Sequence, residues 1–223
     1  RRDFLAFLFR LNKAYPDLDL RITTNGTLLE DRITALREAG VRCLNISLDT
    51  LEAPKFEQIT GVDAYTTVRK SIDDCLAAGL RVKVNVVALK GINDNELPAF
   101  VEFARTHAVD VRFIEFMPIG YQSQWSDANY WAAKDIIAAA EEMAALTAVD
   151  RTNRNSGPAR MFSIDGGLGR IGVISAVSHH FCDSCNRFRV TSDGKLRTCL
   201  FSDKEYDVRS ILRSPGYDKK QVL

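Results

Sequence analysis

Apolar residues recur at helical spacing from the first turn of the chain, at Phe4, Leu5, Phe7, Leu8 and Leu11, and predict an amphipathic helix over 1–16. The spacing then changes to strand-like runs that alternate with helical ones. Strands are expected over 20–25, 43–49, 81–89 and 110–117, and helices over 29–39, 65–78, 95–106 and 132–146. Gly40 and Gly79 fall just past two of the helices, where a left-handed cap favours glycine, and each is followed by the next strand. Repeated strand-helix units predict parallel strands joined by right-handed crossovers. Four units are too few for a closed eight-stranded barrel, so an α/β fold built as an open or partial barrel is expected. The chain opens inside a helix and without methionine, which suggests a piece of a longer protein whose first strand or strands precede Arg1. Beyond Thr147 the pieces shorten and turn residues multiply, with a last helical run near 208–212. The expected domains are therefore a partial barrel over 1–146 and an appended module over 147–223. The GGLG at 166–169 lies between two short strands and reads as a hairpin turn, not a dinucleotide fingerprint.

Composition narrows the function classes. The 223 residues are 46% hydrophobic and 26% charged, ordinary values for a globular chain. A net charge of +1 gives no electrostatic support to general nucleic-acid or membrane-surface binding. No apolar run approaches the roughly 20 residues of a membrane helix, and a cytoplasmic protein is expected.

The chemistry concentrates in Cys182, Cys185 and Cys199, with two residues between the first pair and thirteen before the third. Three thiolates at that spacing read as a metal site one ligand short, able to bind something at the free position. Arg187, Arg189, Lys195 and Arg197 lie in or beside the insert, opposed by Asp183 and Asp193, and guanidinium groups suit a phosphorylated partner. The competing reading is a structural zinc site closed by His179 or His180. A disulfide fits less well, because nothing marks the chain as secreted and three clustered cysteines leave one unpaired. Cys43 and Cys75 read as small core residues.

In parallel strand-helix folds ligands bind at the carboxyl ends of the strands. Those ends are polar here: Thr23, Thr24 and Asn25; Asn45, Ser47 and Asp49; Lys83 and Asn85; Arg112, Glu115 and Met117. The hydroxyls also suit turns and caps. Lys83 alternates with Val82, Val84 and Val86 in a strand expected to be buried on both faces, so its ammonium needs either a carboxylate such as Glu115 or an anionic ligand. Arg112 poses the same question with less force, since it can reach outward.

The segments ITTNG, NISLD, VKVNVV with KGIND, RFIEFMPIG and FCDSCNRFRVTSDGKLRTCL resemble the molybdenum-cofactor biosynthesis protein A family, the GTP 3′,8-cyclases of the radical S-adenosylmethionine (SAM) class. The likeness runs in order from about Ile22 to Phe201. It implies a partial (β/α)6 radical SAM barrel with a C-terminal extension that holds a 4Fe-4S cluster. It implies a second 4Fe-4S cluster on an N-terminal CxxxCxxC loop, which reduces SAM to a 5′-deoxyadenosyl radical. GTP is the implied substrate and (8S)-3′,8-cyclo-7,8-dihydroguanosine 5′-triphosphate the product, passed on to cyclic pyranopterin monophosphate synthase. Carried over by motif, Cys182, Cys185 and Cys199 ligate the C-terminal cluster, and Arg187, Phe188, Arg189, Thr23 and Lys83 contact GTP, with Arg112 as a supporting cation. Ser47 and Met117 correspond to SAM contacts. The resemblance assigns no residue as an acid or base. The chain departs from the pattern in lacking CxxxCxxC, its first cysteine being Cys43, and in lacking the family's GGEP-type segment and Gly-Gly tail. These 223 residues alone are therefore expected to be inactive, binding only the C-terminal cluster and, weakly, GTP. Two other readings stay open, a non-catalytic zinc- or nucleotide-binding module and a paralogue acting by interaction alone. A homodimer is also left open.

Overall fold

The computed structural model describes residues 2–119, 125–150, 157–179, 182, 185 and 187–217. They form two compact units, one of 1–118 with 124–180 and the other of 119–123 with 181–223.

The first unit is built on a seven-stranded sheet. Strands β1 (Leu20–Thr24), β2 (Val41–Ser47), β3 (Arg81–Ala88) and β4 (Val109–Glu115) lie side by side and parallel, joined through α2 (Ile33–Glu38), α3 (Ala53–Thr60) with α4 (Tyr65–Ala77), and α5 (Leu97–Thr106). The helix α1 (Phe4–Ala14) precedes them. After β4, helix α6 (Ala133–Glu141) leads to β5 (Leu146–Val149), and β6 (Arg160–Ile164) and β7 (Arg170–Ile174) return antiparallel until β7 pairs parallel with β4. The order is β1-β2-β3-β4-β7-β6-β5. The 166–169 segment is the β6–β7 turn, held by Gly167 N–H on Ile164 O at 2.9 Å and by Gly169 N–H on Ala104 O at the end of α5, also 2.9 Å. Gly40 and Gly79 take left-handed backbone (φ 86° and 74°) after α2 and α4, as the pattern requires.

Burial alternates strictly along β3 and β4. Val82, Val84, Val86 and Ala88, with Val109, Val111 and Phe113, turn to one face and join residues of all six helices in a single core. The opposite face carries polar side chains that are only half-buried. The expectation that β3 is buried on both faces is thus corrected: one layer of helices covers one side. Cys43 and Cys75 are free and buried.

Several boundaries differ from the hydrophobic pattern. Helix α3 was not signalled by it, because Phe56 is its one buried residue. The helix expected to run to 146 stops at Glu141, and Leu146 begins a strand. The short strands after 147, expected in the appended module, extend the first unit's sheet. Strand β4 ends at Glu115, which leaves Met117 in the exit segment.

The second unit holds a three-stranded antiparallel sheet in the order β10-β9-β8, made of β8 (Arg189–Val190), β9 (Lys195–Arg197) and β10 (Tyr206–Asp207), followed by α7 (Val208–Arg213). Among the described residues no helix is long and apolar enough to cross a membrane.

Candidate functional site

The polar face is ordered by register. Thr23, Asn45, Lys83, Asp110 and Arg170 are successive partners across β1, β2, β3, β4 and β7, so their side chains share one side of the sheet. The next row in the strand direction is Ser47, Asn85 and Arg112. Thr23, Ser47, Lys83 and Arg112, picked out from four separate strands, therefore meet on one surface, and Met117 follows two residues beyond the end of β4.

The hydrogen bonds fix the character of this surface. Arg112 Nη2 donates to Asn45 Oδ1 at 2.7 Å and to Asn85 Oδ1 at 2.6 Å. Asn45 Nδ2 donates to Ile22 O at 3.3 Å and to Thr23 Oγ1 at 3.4 Å. Asp110 is taken up by Arg170, whose Nε and Nη2 reach its two oxygens at 2.7 and 2.8 Å. Among the described residues Lys83 makes no ion pair. Burial and then the neighbouring Arg112 charge push its ammonium below the ordinary lysine value.

Glu115 is not the counter-ion of Lys83. It pairs in register with Ala88 on the helix-covered face, the side opposite Lys83. There it accepts from Ala133 N–H at 2.8 Å, at the start of α6, and from Val177 and Ser178 N–H at 2.7 and 2.8 Å. The Ser178 hydroxyl also donates to it. Burial opposes its ionisation, and these donors outweigh it, so its pKa is lowered.

The loops beyond β2 and β3 are pinned by side chains that periodicity could not single out. Asn93, fully buried, donates to Asp49 O and Val87 O at 2.7 and 2.8 Å. Glu96, 4% exposed, accepts from Thr50 Oγ1, Leu51 N–H and Lys55 Nζ. Asp49 accepts from Val87 N–H at 2.7 Å, and burial raises its pKa. The Asn-Asp-Asn-Glu run before an apolar helix was the available signal for Asn93 and Glu96.

In the second unit the β8–β9 hairpin sets Arg189 opposite Arg197. In the sequence Cys185 lies shortly before the first and Cys199 shortly after the second; Cys182 is tied to Cys185 through Cys185 N–H on Cys182 O at 3.1 Å. Cys182 and Cys185 are exposed, and Cys199 is half-buried. Three thiols so placed fit a thiophilic metal or an iron-sulfur cluster by donor chemistry. Among the described residues no three His, Cys, Asp or Glu side chains already stand as a ligand set. His179 is exposed, and His180 and Asp183 lie outside the described residues.

The cations around the thiols divide into two groups. Lys195 is paired with Glu205 at 2.9 Å and Asp193 at 3.5 Å, and Arg197 with Ser202 O and, more loosely, Asp203 and Glu205. Glu205 and Asp203 thus stand beside these two cations in addition to Asp193. Burial pushes Arg187 below the ordinary arginine value, with Cys185 opposing and Arg189 adding to the shift. Phe188 is 72% exposed.

Comparison with known proteins gives these two regions a class. A family model described as Radical SAM superfamily matches residues 1–104, and one described as Molybdenum Cofactor Synthesis C matches 109–223. A solved domain of pyruvate-formate lyase-activating enzyme from Bacteroides vulgatus superposes with a TM-score of 0.50 at 13% identity, covering 64% of this chain and 83% of that one; the likeness concerns the fold. The radical SAM class is thus reached from the match over residues 1–104. Within it, GTP 3′,8-cyclase of Alkaliphilus oremlandii is 40% identical over 100% of this chain, and that of Thermodesulfovibrio yellowstonii 42% over 96%. Molybdenum cofactor biosynthesis protein 1 of Dictyostelium discoideum is 37% identical over 99% of this chain. The chain belongs to the molybdenum-cofactor biosynthesis protein A family. It spans 68%, 66% and 35% of the lengths of these three relatives.

Proposed function

We propose that this chain is the substrate-holding part of a GTP 3′,8-cyclase, which uses SAM to convert GTP into (8S)-3′,8-cyclo-7,8-dihydroguanosine 5′-triphosphate. The observation that carries the reading is Lys83, held half-buried on the polar sheet face beside Arg112 and ion-paired with nothing among the described residues. The carboxylate registered beside Lys83, Asp110, is taken up by Arg170, so a half-buried ammonium there is stabilised by an anionic ligand, and a triphosphate supplies one.

On this reading Thr23, Lys83, Arg112, Arg187, Phe188 and Arg189 are GTP-contacting residues. Ser47 and Met117 face SAM. Cys182, Cys185 and Cys199 ligate a 4Fe-4S cluster with one iron left for the guanine. The sheet and helices of 1–146 form part of a partial (β/α)6 barrel, and 147–223 is the cluster-bearing extension, its first strands completing the sheet. A second 4Fe-4S cluster, reduced by one electron, would with SAM supply the radical chemistry at the ribose. The 223 residues contain no CxxxCxxC to hold that cluster, so by themselves they make no 5′-deoxyadenosine. The protein works in the cytoplasm and passes its product to cyclic pyranopterin monophosphate synthase; a homodimer is compatible with this reading.

The test is anaerobic iron, sulfide and zinc analysis of the reconstituted chain, followed by GTP titration with hyperfine spectroscopy at the cluster. Roughly four irons and four sulfides per chain, with one iron changed by GTP, are expected. Zinc at about one per chain, with GTP without effect, overturns the reading in favour of a structural zinc module.

A further inference from the structure

The polar face holds two asparagines that the family resemblance leaves without a role and whose orientations are dictated by chemistry. Arginine can only donate hydrogen bonds, so the two amides that receive Arg112 Nη2 must both turn their oxygens toward it. That fixes where their NH2 groups point. Asn45 spends its NH2 on Ile22 O and Thr23 Oγ1. Asn85 Nδ2 has no acceptor among the described residues, although Asn85 stands in register with Arg112 and two residues from Lys83 on the same face. Neighbouring strands lie about 4.8 Å apart and same-face residues about 6.6 Å apart along a strand, so the three donor groups share a patch the size of a phosphate chain.

We infer that Asn85 is a substrate-contacting residue whose amide NH2 donates to a triphosphate oxygen lying between Lys83 and Arg112, and that Asn45 is a positioning residue that holds Arg112 from the other side. The inference rests on the reading of this face as the GTP site. Arg112 does more than add charge: by claiming the Asn85 oxygen it presents the amide as a donor only. The surface then offers NH groups to an acceptor-rich ligand and rejects one that must donate.

The test compares Asn85→Asp, Asn85→Ala and Asn45→Asp in the full chain, titrated separately with inorganic triphosphate and with GTP, with thermal melting to check that each variant is folded. Asn85→Asp keeps an acceptor for Arg112 but loses the donor. Asn45→Asp places the same charge beside the same guanidinium and next to Lys83 in register, without removing a ligand-facing NH2. Asn85→Asp is expected to weaken triphosphate binding at least about tenfold more than Asn45→Asp does, and Asn85→Ala, which adds no charge, to weaken it several-fold. Equal losses in the two Asp variants, or an Asn85→Ala variant that binds like the parent, overturn the role of Asn85. Triphosphate binding with the expected ranking but no response to GTP keeps the donor patch and overturns the GTP reading. Failure of the unsubstituted chain to bind either probe overturns both.

Discussion

Lys83 shows what a single position could and could not reveal. Its place among Val82, Val84 and Val86 marks an out-of-pattern charge, and the structure keeps it on the half-open face of β3. Its partner was not legible. Glu115 looked near enough in sequence order, but Lys83 is registered with Asp110, and the odd step from 110 to 115 turns Glu115 to the other side. Register between strands depends on crossover geometry, which period-two alternation does not encode. The depressed pKa of Lys83 has a sign that can be checked. Folding disfavours its charged form, so just below the ordinary lysine value of about 10.4 the unfolded chain binds more protons, and stability rises with pH from the depressed value up to that point. Lys83→Met is expected to remove this rise, to leave the melting midpoint at neutral pH unchanged or higher, and to weaken triphosphate binding at least about tenfold. Melting between neutral and alkaline pH, paired with calorimetric titration, reads both effects. A variant that melts lower at neutral pH and binds triphosphate normally assigns Lys83 to the fold and not to the ligand.

Elements were legible where one face is continuous and obscure where tertiary pairing decides. Strands β1 to β4 and helices α4 and α5 follow their apolar periods closely, whereas the helix read through 146 ends at Glu141 and its last residue, Leu146, is drawn into β5 by pairing with β6. Glu115 was read as a strand-end residue and is instead the joint of three elements, tying the end of β4 to the start of α6 and to 177–178 after β7. At 1% exposure, its removal leaves backbone donors buried without an acceptor. Glu115→Ala is expected to lower unfolding free energy by about 3–5 kcal/mol in urea titrations. Glu115→Gln costs less at neutral pH and changes the acid limb. Because folding lowers the Glu115 pKa, the ionised form contributes stability above the ordinary glutamate value of about 4.3, and this is lost as pH falls through the folded pKa. The parent should therefore lose more stability than Glu115→Gln between neutral pH and that acid range. Parallel acid limbs for the two proteins would show that the carboxylate is not ionised in its cradle.

At the scale of the whole molecule the two units differ in what holds them together. The first buries an extensive apolar core, while among the described residues beyond 180 not one is buried, and Phe188, Val190, Phe201 and Leu212 stand exposed. Below about 70–80 residues an apolar core seldom suffices without a disulfide or a metal, and here the described residues of the second unit have no such core to begin with. Its short hairpin, its capped helix α7 and the ion pairs of Lys195 and Arg197 are surface interactions worth little each. On the proposed reading the cysteine spacing, the most legible chemistry in the sequence, would answer a structural need as well: a cluster bound by Cys182, Cys185 and Cys199 would tie the ends of the β8–β9 hairpin and couple folding of this unit to metal. Limited trypsinolysis of reconstituted and chelator-stripped protein tests this. Stripping, or Cys199→Ser, is expected to speed cleavage after Arg187, Arg189, Arg197 and Arg209 at least about tenfold, with the melting transition of the first unit unchanged. Equal cleavage rates with and without metal would mean that the hairpin stands by its own hydrogen bonds and that the thiolates serve the ligand alone.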